Sequence, residues 1–244
     1  MGSFSNVCIR RLPKNESIVF NRSYCHGCKK AINWYDNIPI ISYFLLKAKC
    51  RNCDFKIGLE YFIVEISTAI IFSFIYYLYG FSITTFLLIV LSVFFIIIFF
   101  IDLKHYIIPN ELTFPLMIIG FIKSFYPNLN QNLFPNYINS LIGGVFGYLI
   151  IWLIIYLYKK IRNKEGMGLG DAKLLSAIGF WFGWFSIPIV IFFSSIIALS
   201  SVIPSLINKT RNLSEQIPFG PFLIIGCVIF ILFGNLIKLF LFSY

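Results

Sequence analysis

Charge is scarce in this sequence, and acidic charge scarcest of all. Only 12% of the 244 residues are Asp, Glu, Lys or Arg, and ten are acidic. A soluble domain would carry about 25% charged residues, so a water-soluble globular fold is excluded. The stretch "PNLNQNLFPNY" at 127–137 has no charge at all. No apolar segment of the secretory kind follows the basic start, so no signal peptide is read there.

What the sequence has instead is apolar side chains, 59% of the total, with 29 Phe among them. Runs longer than about 18 apolar residues recur, the length that crosses the hydrocarbon core of a bilayer. We read an all-α polytopic membrane protein with about seven transmembrane helices, near 61–80, 82–101, 111–126, 138–158, 171–185, 186–207 and 219–242. The third and fifth are short, as tilted or re-entrant segments would be. Residues 1–59 form a polar, basic segment ahead of them, so the chain divides into a cytoplasmic domain at 1–59 and a membrane domain at 60–244.

The net charge of +10 does not point to nucleic acid. Ten of the 20 Lys and Arg lie between Arg10 and Lys56, and most others lie in short loops between spans. With 1–59 in the cytoplasm and seven alternating spans, 18 of the 20 fall on the cytoplasmic side, as the positive-inside rule requires. Lys123 and Lys238 fall near outer helix ends, where snorkelling is expected. The partner implied by this pattern is the lipid bilayer, not nucleic acid.

That topology puts two carboxylates at one membrane face. Asp102, in "FFIDLKHYIIPN", ends the second span, and Asp171, in "GMGLGDAKLL", begins the fifth. Ionisable residues within spans are costly and usually functional. Asp171 alone reads equally well as a helix N-cap. Asp102 sits where a helix macrodipole disfavours negative charge, although pairing with Lys104 is open to it. Together the two suggest a dyad of carboxyls that share a proton and activate a water. Gly166, Gly168 and Gly170 would allow close backbone approach and positive φ beside Asp171. Gly168, Gly170 and Lys173 are the candidate supporting residues.

The cysteines form a second pattern. Cys25 and Cys28 in "YCHGC", with Cys50 and Cys53 in "KCRNC", make two C-x-x-C knuckles. Four thiolates at this spacing suit a structural zinc ion with no open coordination position. The metal would supply folding energy that a small basic segment cannot gain by burial. Free thiols or a redox pair are the alternatives. His26 reads as a loop residue, and Cys8 and Cys227 as buried small hydrophobes. Glu65 lies within the first span and is expected to be paired or to face the bundle interior. Pro218 and Pro221, in "IPFGPFL", read either as a helix start or as shaping a substrate groove.

"GMGLGDAKLLSAIGFWFG" resembles the GxGD region of the type IV prepilin peptidases, and "DLKHYIIPN" resembles that family's other aspartate motif. "GSFSNVCIRRLP", "EYFIVEISTA" and "IPFGPFL" are similar to further family blocks, in the family's order. The resemblance implies a membrane aspartic endopeptidase with Asp102 and Asp171 as its catalytic pair. Its substrates would be prepilins or pseudopilins, cut at a Gly–Phe type junction on the cytoplasmic face of the bacterial inner membrane. The paired cysteines resemble those of the bifunctional members, which implies N-methylation of the new N-terminus with S-adenosylmethionine. No soluble-type G-x-G-x-x-G site for that cofactor is visible. Family members carry a span before the "GSFSNV" block, so either a truncated start or a seven-span protein is expected. A membrane scaffold with a zinc knuckle is the rival from another class, and the four cysteines argue against a presenilin-like protease.

Overall fold

The computed structural model describes residues 1–18, 24–25, 27–126, 129, 133–163, 167–207 and 217–242. Among the described residues there are nine α-helices and no β-strand beyond two isolated bridges. They fall into two compact units, residues 1–100 and 101–244.

In the first unit, α1 (Gly2–Arg11) packs on α3 (Leu59–Tyr79). The sequence reading had only a polar segment where α1 stands. Asn6 donates to the carbonyl of Tyr61 at 3.1 Å, and Arg10 reaches the Tyr61 hydroxyl. Cys8 and Ile9 are buried, and burial pushes the Cys8 thiol up to about 11. Glu65 faces inward, where its Oε2 accepts the Ile40 N–H at 2.8 Å. The short α2 (Ile41–Leu45) and the main part of α4 (Ile83–His105) complete the unit. α3 stops at Gly80, whose φ of +61° takes the chain out of the helix.

The second unit holds the end of α4 and five further helices: α5 (Asn110–Lys123), α6 (Tyr137–Arg162), α7 (Leu169–Phe182), α8 (Ser186–Ile207) and α9 (Gly220–Phe242). Among the described residues five helices, α3, α4, α6, α8 and α9, are long and apolar enough to cross a bilayer. Their outward side chains are large and apolar, Tyr77 on α3 being 83% exposed and Phe240 on α9 80%, as a lipid solvent demands. The protein is a multi-pass membrane protein. The other two expected spans are α5 and α7, of 14 residues each. At about 1.5 Å per residue such a helix is roughly 21 Å long, short of a core of about 30 Å. Length and composition therefore support five of the seven spans.

α7 is short because it is enclosed. It contacts α5, α6, α8 and α9, and Leu174, Leu175, Ile178 and Trp181 have no exposed surface. A helix apolar on all sides belongs in the middle of a bundle. Its C-terminal carbonyls end inside protein and need donors. Gly183 N–H bonds to the Gly179 carbonyl at 2.8 Å, Ser140 Oγ to that of Phe180 at 2.6 Å, and Lys123 Nζ to that of Trp181 at 2.7 Å. Lys123 therefore does not snorkel. It is buried, with its ammonium 4.0 Å from the centre of the Phe134 ring, because a cation is favoured where a helix ends. Trp181 returns a bond to α5, its Nε1 donating to Leu116 O at 2.8 Å.

α6 and α7 meet through small residues. A Cβ added at Gly179 would lie 2.1 Å from the Gly143 carbonyl oxygen, and one at Gly143 would lie 2.5 Å from that of Gly179. Small residues at a membrane interface permit such backbone contact. Gly179→Ala is expected to lower the thermal unfolding midpoint of the purified protein. The cost should reach or exceed the upper end of the ~1–3 kcal/mol usual for overpacking, since only backbone could yield. An unchanged midpoint would contradict the packing.

Candidate active site and metal centre

Asp102 occupies the last turn of α4. The helix ends just beyond it, where Tyr106 takes a φ of +56° and its N–H bonds to the Asp102 carbonyl at 3.0 Å. The chain then turns through Ile107 and Ile108 to Pro109, which caps α5 in an extended conformation. Ile108 becomes a wedge between two helix starts. A Cβ on Gly170, in the first turn of α7, would lie 3.0 Å from Ile108 Cβ, and one on Gly220, at the start of α9, 3.1 Å from Ile108 Cδ1.

Gly220 also holds Asp102. Its N–H donates to Asp102 Oδ2 at 3.0 Å in a buried bond. A Cβ on Gly220 would lie 2.7 Å from the same oxygen, so the backbone reaches the carboxylate only because there is no side chain. Pro221, next along, has no N–H to offer, which leaves Gly220 as the donor at this helix start.

Asp171 completes the cluster. Both aspartates are buried, Asp102 at 4% exposure and Asp171 at 8%, and they lie close enough for their charges to interact. Asp171 is not the N-cap of α7. Gly168 holds that position, with Asp171 three residues in and its N–H bonded to the Gly168 carbonyl at 3.2 Å. Its carboxylate accepts a hydrogen bond from the Gly168 backbone, so it serves the helix start from the third position and not as the N-cap itself. The arrangement places the C-terminal end of α4 against the N-terminal ends of α7 and α9, whose dipoles favour anionic groups.

The glycines act through space, not through unusual torsions. Gly168 is extended at φ −83°, and among the described residues only Gly80 and Gly183 are glycines of positive φ. Gly170 is the close-packed one, against Ile108, whereas a Cβ on Gly168 would meet nothing nearer than 3.8 Å. Gly166 lies outside the described residues. Lys173 donates to Asn110 Oδ1 at 2.6 Å and lies over the Phe114 ring, which ties α7 to the start of α5. Ile108 and Gly220 were not among the residues expected at the site. For Gly220 the one sequence signal was a glycine between two prolines near a helix start.

The four cysteines come together in the first unit. The Sγ atoms of Cys25, Cys28, Cys50 and Cys53 all lie within 4.8 Å of one another, with Cys25 and Cys53 3.6 Å apart. Thiolates around a tetrahedral four-sulfur ion stand about 3.8 Å apart, so the set fits one, with every ligand a thiol. The two knuckles repeat each other. Cys25 N–H bonds to Lys30 O at 2.9 Å and Cys50 N–H to Phe55 O at 3.0 Å, each knuckle being closed by a bridge, Tyr24–Ala31 or Lys49–Lys56. The backbone N–H of Cys28 holds the Cys25 thiol below its ordinary value. Arg51 clamps the second knuckle through a two-oxygen ion pair with Asp36 at 2.7–3.1 Å. His26 lies outside the described residues. Cys227 is fully buried, as expected of a small hydrophobe.

Comparison with known proteins places the chain. Residues 1–79 match the Bacterial Peptidase A24 N-terminal domain, and residues 89–203 match the Type IV leader peptidase family. A prepilin leader peptidase/N-methyltransferase of Vibrio cholerae is 39% identical over 239 residues, covering 94% of this chain and 91% of that protein. Proteins of the same name from Pseudomonas aeruginosa and Neisseria gonorrhoeae are 32% and 35% identical over 260 and 255 residues. Those alignments cover 96% and 94% of this chain, and 87% and 86% of the relatives. No solved structure matches. With both halves of its length matched in order, the chain belongs to the type IV leader peptidase family.

Proposed function

We propose that this protein is a membrane aspartic endopeptidase that removes the leader of type IV prepilins or pseudopilins. It cuts at a Gly–Phe type junction on the cytoplasmic face of the bacterial inner membrane and N-methylates the residue it exposes. The observation that carries the peptidase reading is the buried pair, Asp102 at the end of α4 and Asp171 in the first turn of α7, close enough for their charges to interact. Two carboxyls so close hold one proton between them. The ionised one takes a proton from water as that water attacks the scissile carbonyl, and the protonated one donates to the carbonyl oxygen. The Gly220 N–H fixes Asp102 Oδ2. Gly168, Gly170 and Lys173 support the start of α7 that presents Asp171.

Methylation rests on the names of the relatives, with S-adenosylmethionine as the donor we propose; no residue is assigned to it. In the same reading residues 1–59 are the cytoplasmic metal-binding domain and 60–244 the peptidase domain. The metal is zinc, held by Cys25, Cys28, Cys50 and Cys53 in a structural role, since four thiolates leave no position for substrate.

The intact mass of a prepilin with a Gly–Phe junction tests this directly. Incubation with the protein and S-adenosylmethionine should remove the leader and add one methyl group. Asp102→Asn or Asp171→Asn should slow cleavage by about 10²–10⁴-fold, the usual weight of acid–base catalysis, and equal rates would reject the pair. Gly220→Ala should cost on the order of 10²-fold, because a displacement of about 1 Å at a catalytic group can cost that much. Atomic emission should find one zinc per chain, and Cys28→Ser with Cys53→Ser should abolish it. Retention of zinc by that variant would contradict the four-thiolate site.

A further inference from the structure

The short helix α2 carries an apolar face that no span accounts for. Ile41, Phe44 and Leu45 stand three and four positions apart, so they share one side of it. All three are exposed, Phe44 at 64% and Leu45 at 77%, whereas Ser42 is buried and donates to the Tyr35 carbonyl at 2.9 Å. Surfaces in water rarely keep such a face open, and five residues are far too few to cross a bilayer.

The depth of α2 follows from its contacts with α3. Ile40, which leads into α2 at φ +65°, donates its N–H to Glu65 Oε2 at 2.8 Å. Positive φ strains a β-branched residue, so this bond holds α2 to α3 against a backbone cost. The Tyr43 ring stacks on that of Phe62 with centres 5.0 Å apart, and Phe44 meets Phe62 edge-on at 5.2 Å. α2 thus lies beside the first two turns of α3. That helix has 21 residues, about 32 Å at 1.5 Å per residue, barely more than a hydrocarbon core of about 30 Å. Its first turns therefore stand at the membrane boundary, and α2 stands there with them. Across Phe62 the apolar face continues into Leu59 and Ile63, both exposed on α3.

The rim of this face is basic. Lys47 and Lys49 follow α2 directly, and the Lys49–Lys56 bridge brings a third exposed lysine alongside. The stretch 40–64 holds four cations against two carboxylates, Asp54 and Glu60. Arg51 is taken by Asp36. Asp54 meets Lys49 at 3.4 Å with both side chains open to solvent, a contact of little strength. Apolar side chains flanked by lysines are the composition of a segment that lies in a membrane interface.

We propose that α2 is an interfacial anchor in the leaflet at which α3 begins. Ile41, Phe44 and Leu45 lie among the upper acyl chains, and Lys47 and Lys56 lie at anionic headgroups. In the chain α2 falls between the two cysteine knuckles, so anchoring it lays both of them on the membrane surface. The proposal rests on α3 as a span and on no residue of the aspartate pair, so it stands apart from the peptidase reading.

The test is photo-crosslinking of the full chain with Leu45 replaced by benzoylphenylalanine, a position whose exposure leaves the packing of α2 undisturbed. Irradiated in nanodiscs of equal phosphatidylglycerol and phosphatidylcholine, the protein should gain the mass of one lipid. The phosphatidylglycerol adduct should exceed the other about fivefold, the preference that one membrane-surface lysine confers. Lys47→Gln with Lys56→Gln should bring the two adducts to equal yield. Irradiation in native membranes should again give lipid adducts. A probe joined there to protein, whether a second copy or another partner, would make the face a protein contact and overturn the anchor. So would a probe that joins nothing, which would place α2 in water, or equal adducts with both lysines in place.

Discussion

α6 and α7 touch backbone to backbone at Gly143 and Gly179, and the depth of α7 in the bundle follows from that contact. Held there, a 14-residue helix starts at the level of Asp171 and stops among α5, α6, α8 and α9. Its early stop then dictates the buried donors Ser140 and Lys123 on its last carbonyls. The reciprocal bond from Trp181 to Leu116 fixes α5 in register with it. Since α5 begins just after the turn at Tyr106, the same register places Ile108 and the end of α4, with Asp102 on it.

Burying two carboxylates side by side is costly. The structure offsets the cost by position more than by counter-charge. Asp102 accepts the Gly220 N–H, and the N-termini of α7 and α9 both converge on the pair. Lys173 is directed to Asn110. A lysine bound to either aspartate would hold it ionised and take it out of proton exchange. Backbone donors stabilise a carboxylate without supplying a full charge, which keeps both acid and base forms within reach.

Much of this was legible in the sequence, and for identifiable reasons. The long helices announce themselves because a lipid solvent requires unbroken apolar runs, and both aspartates stand out against an acid-poor background. The cysteine knuckles are local, so their spacing alone gave the cluster; the repeated hydrogen bonding of the two knuckles was not visible. What failed to show depends on tertiary context. Gly220 meets Asp102 across 118 residues of chain, and nothing local marks that pairing. Lys123 read as a snorkelling residue because the rule assumes a helix that ends at the membrane surface, whereas α7 ends in protein. An N-cap role stayed open for Asp171 taken alone because glycines precede it, whereas Gly168 holds that position. α1 stayed unread because its partner face on α3 cannot be inferred from a polar ten-residue segment.

The central claim is that positions 102 and 171 adjoin in the folded membrane protein. Cysteines placed at both, treated with dibromobimane in native membranes, would measure it most directly, because that reagent joins two thiols only when they are neighbours. Peptide mapping should recover a cross-linked pair containing residues 102 and 171. Recovery of the two peptides modified separately, with no linked species, would contradict the account.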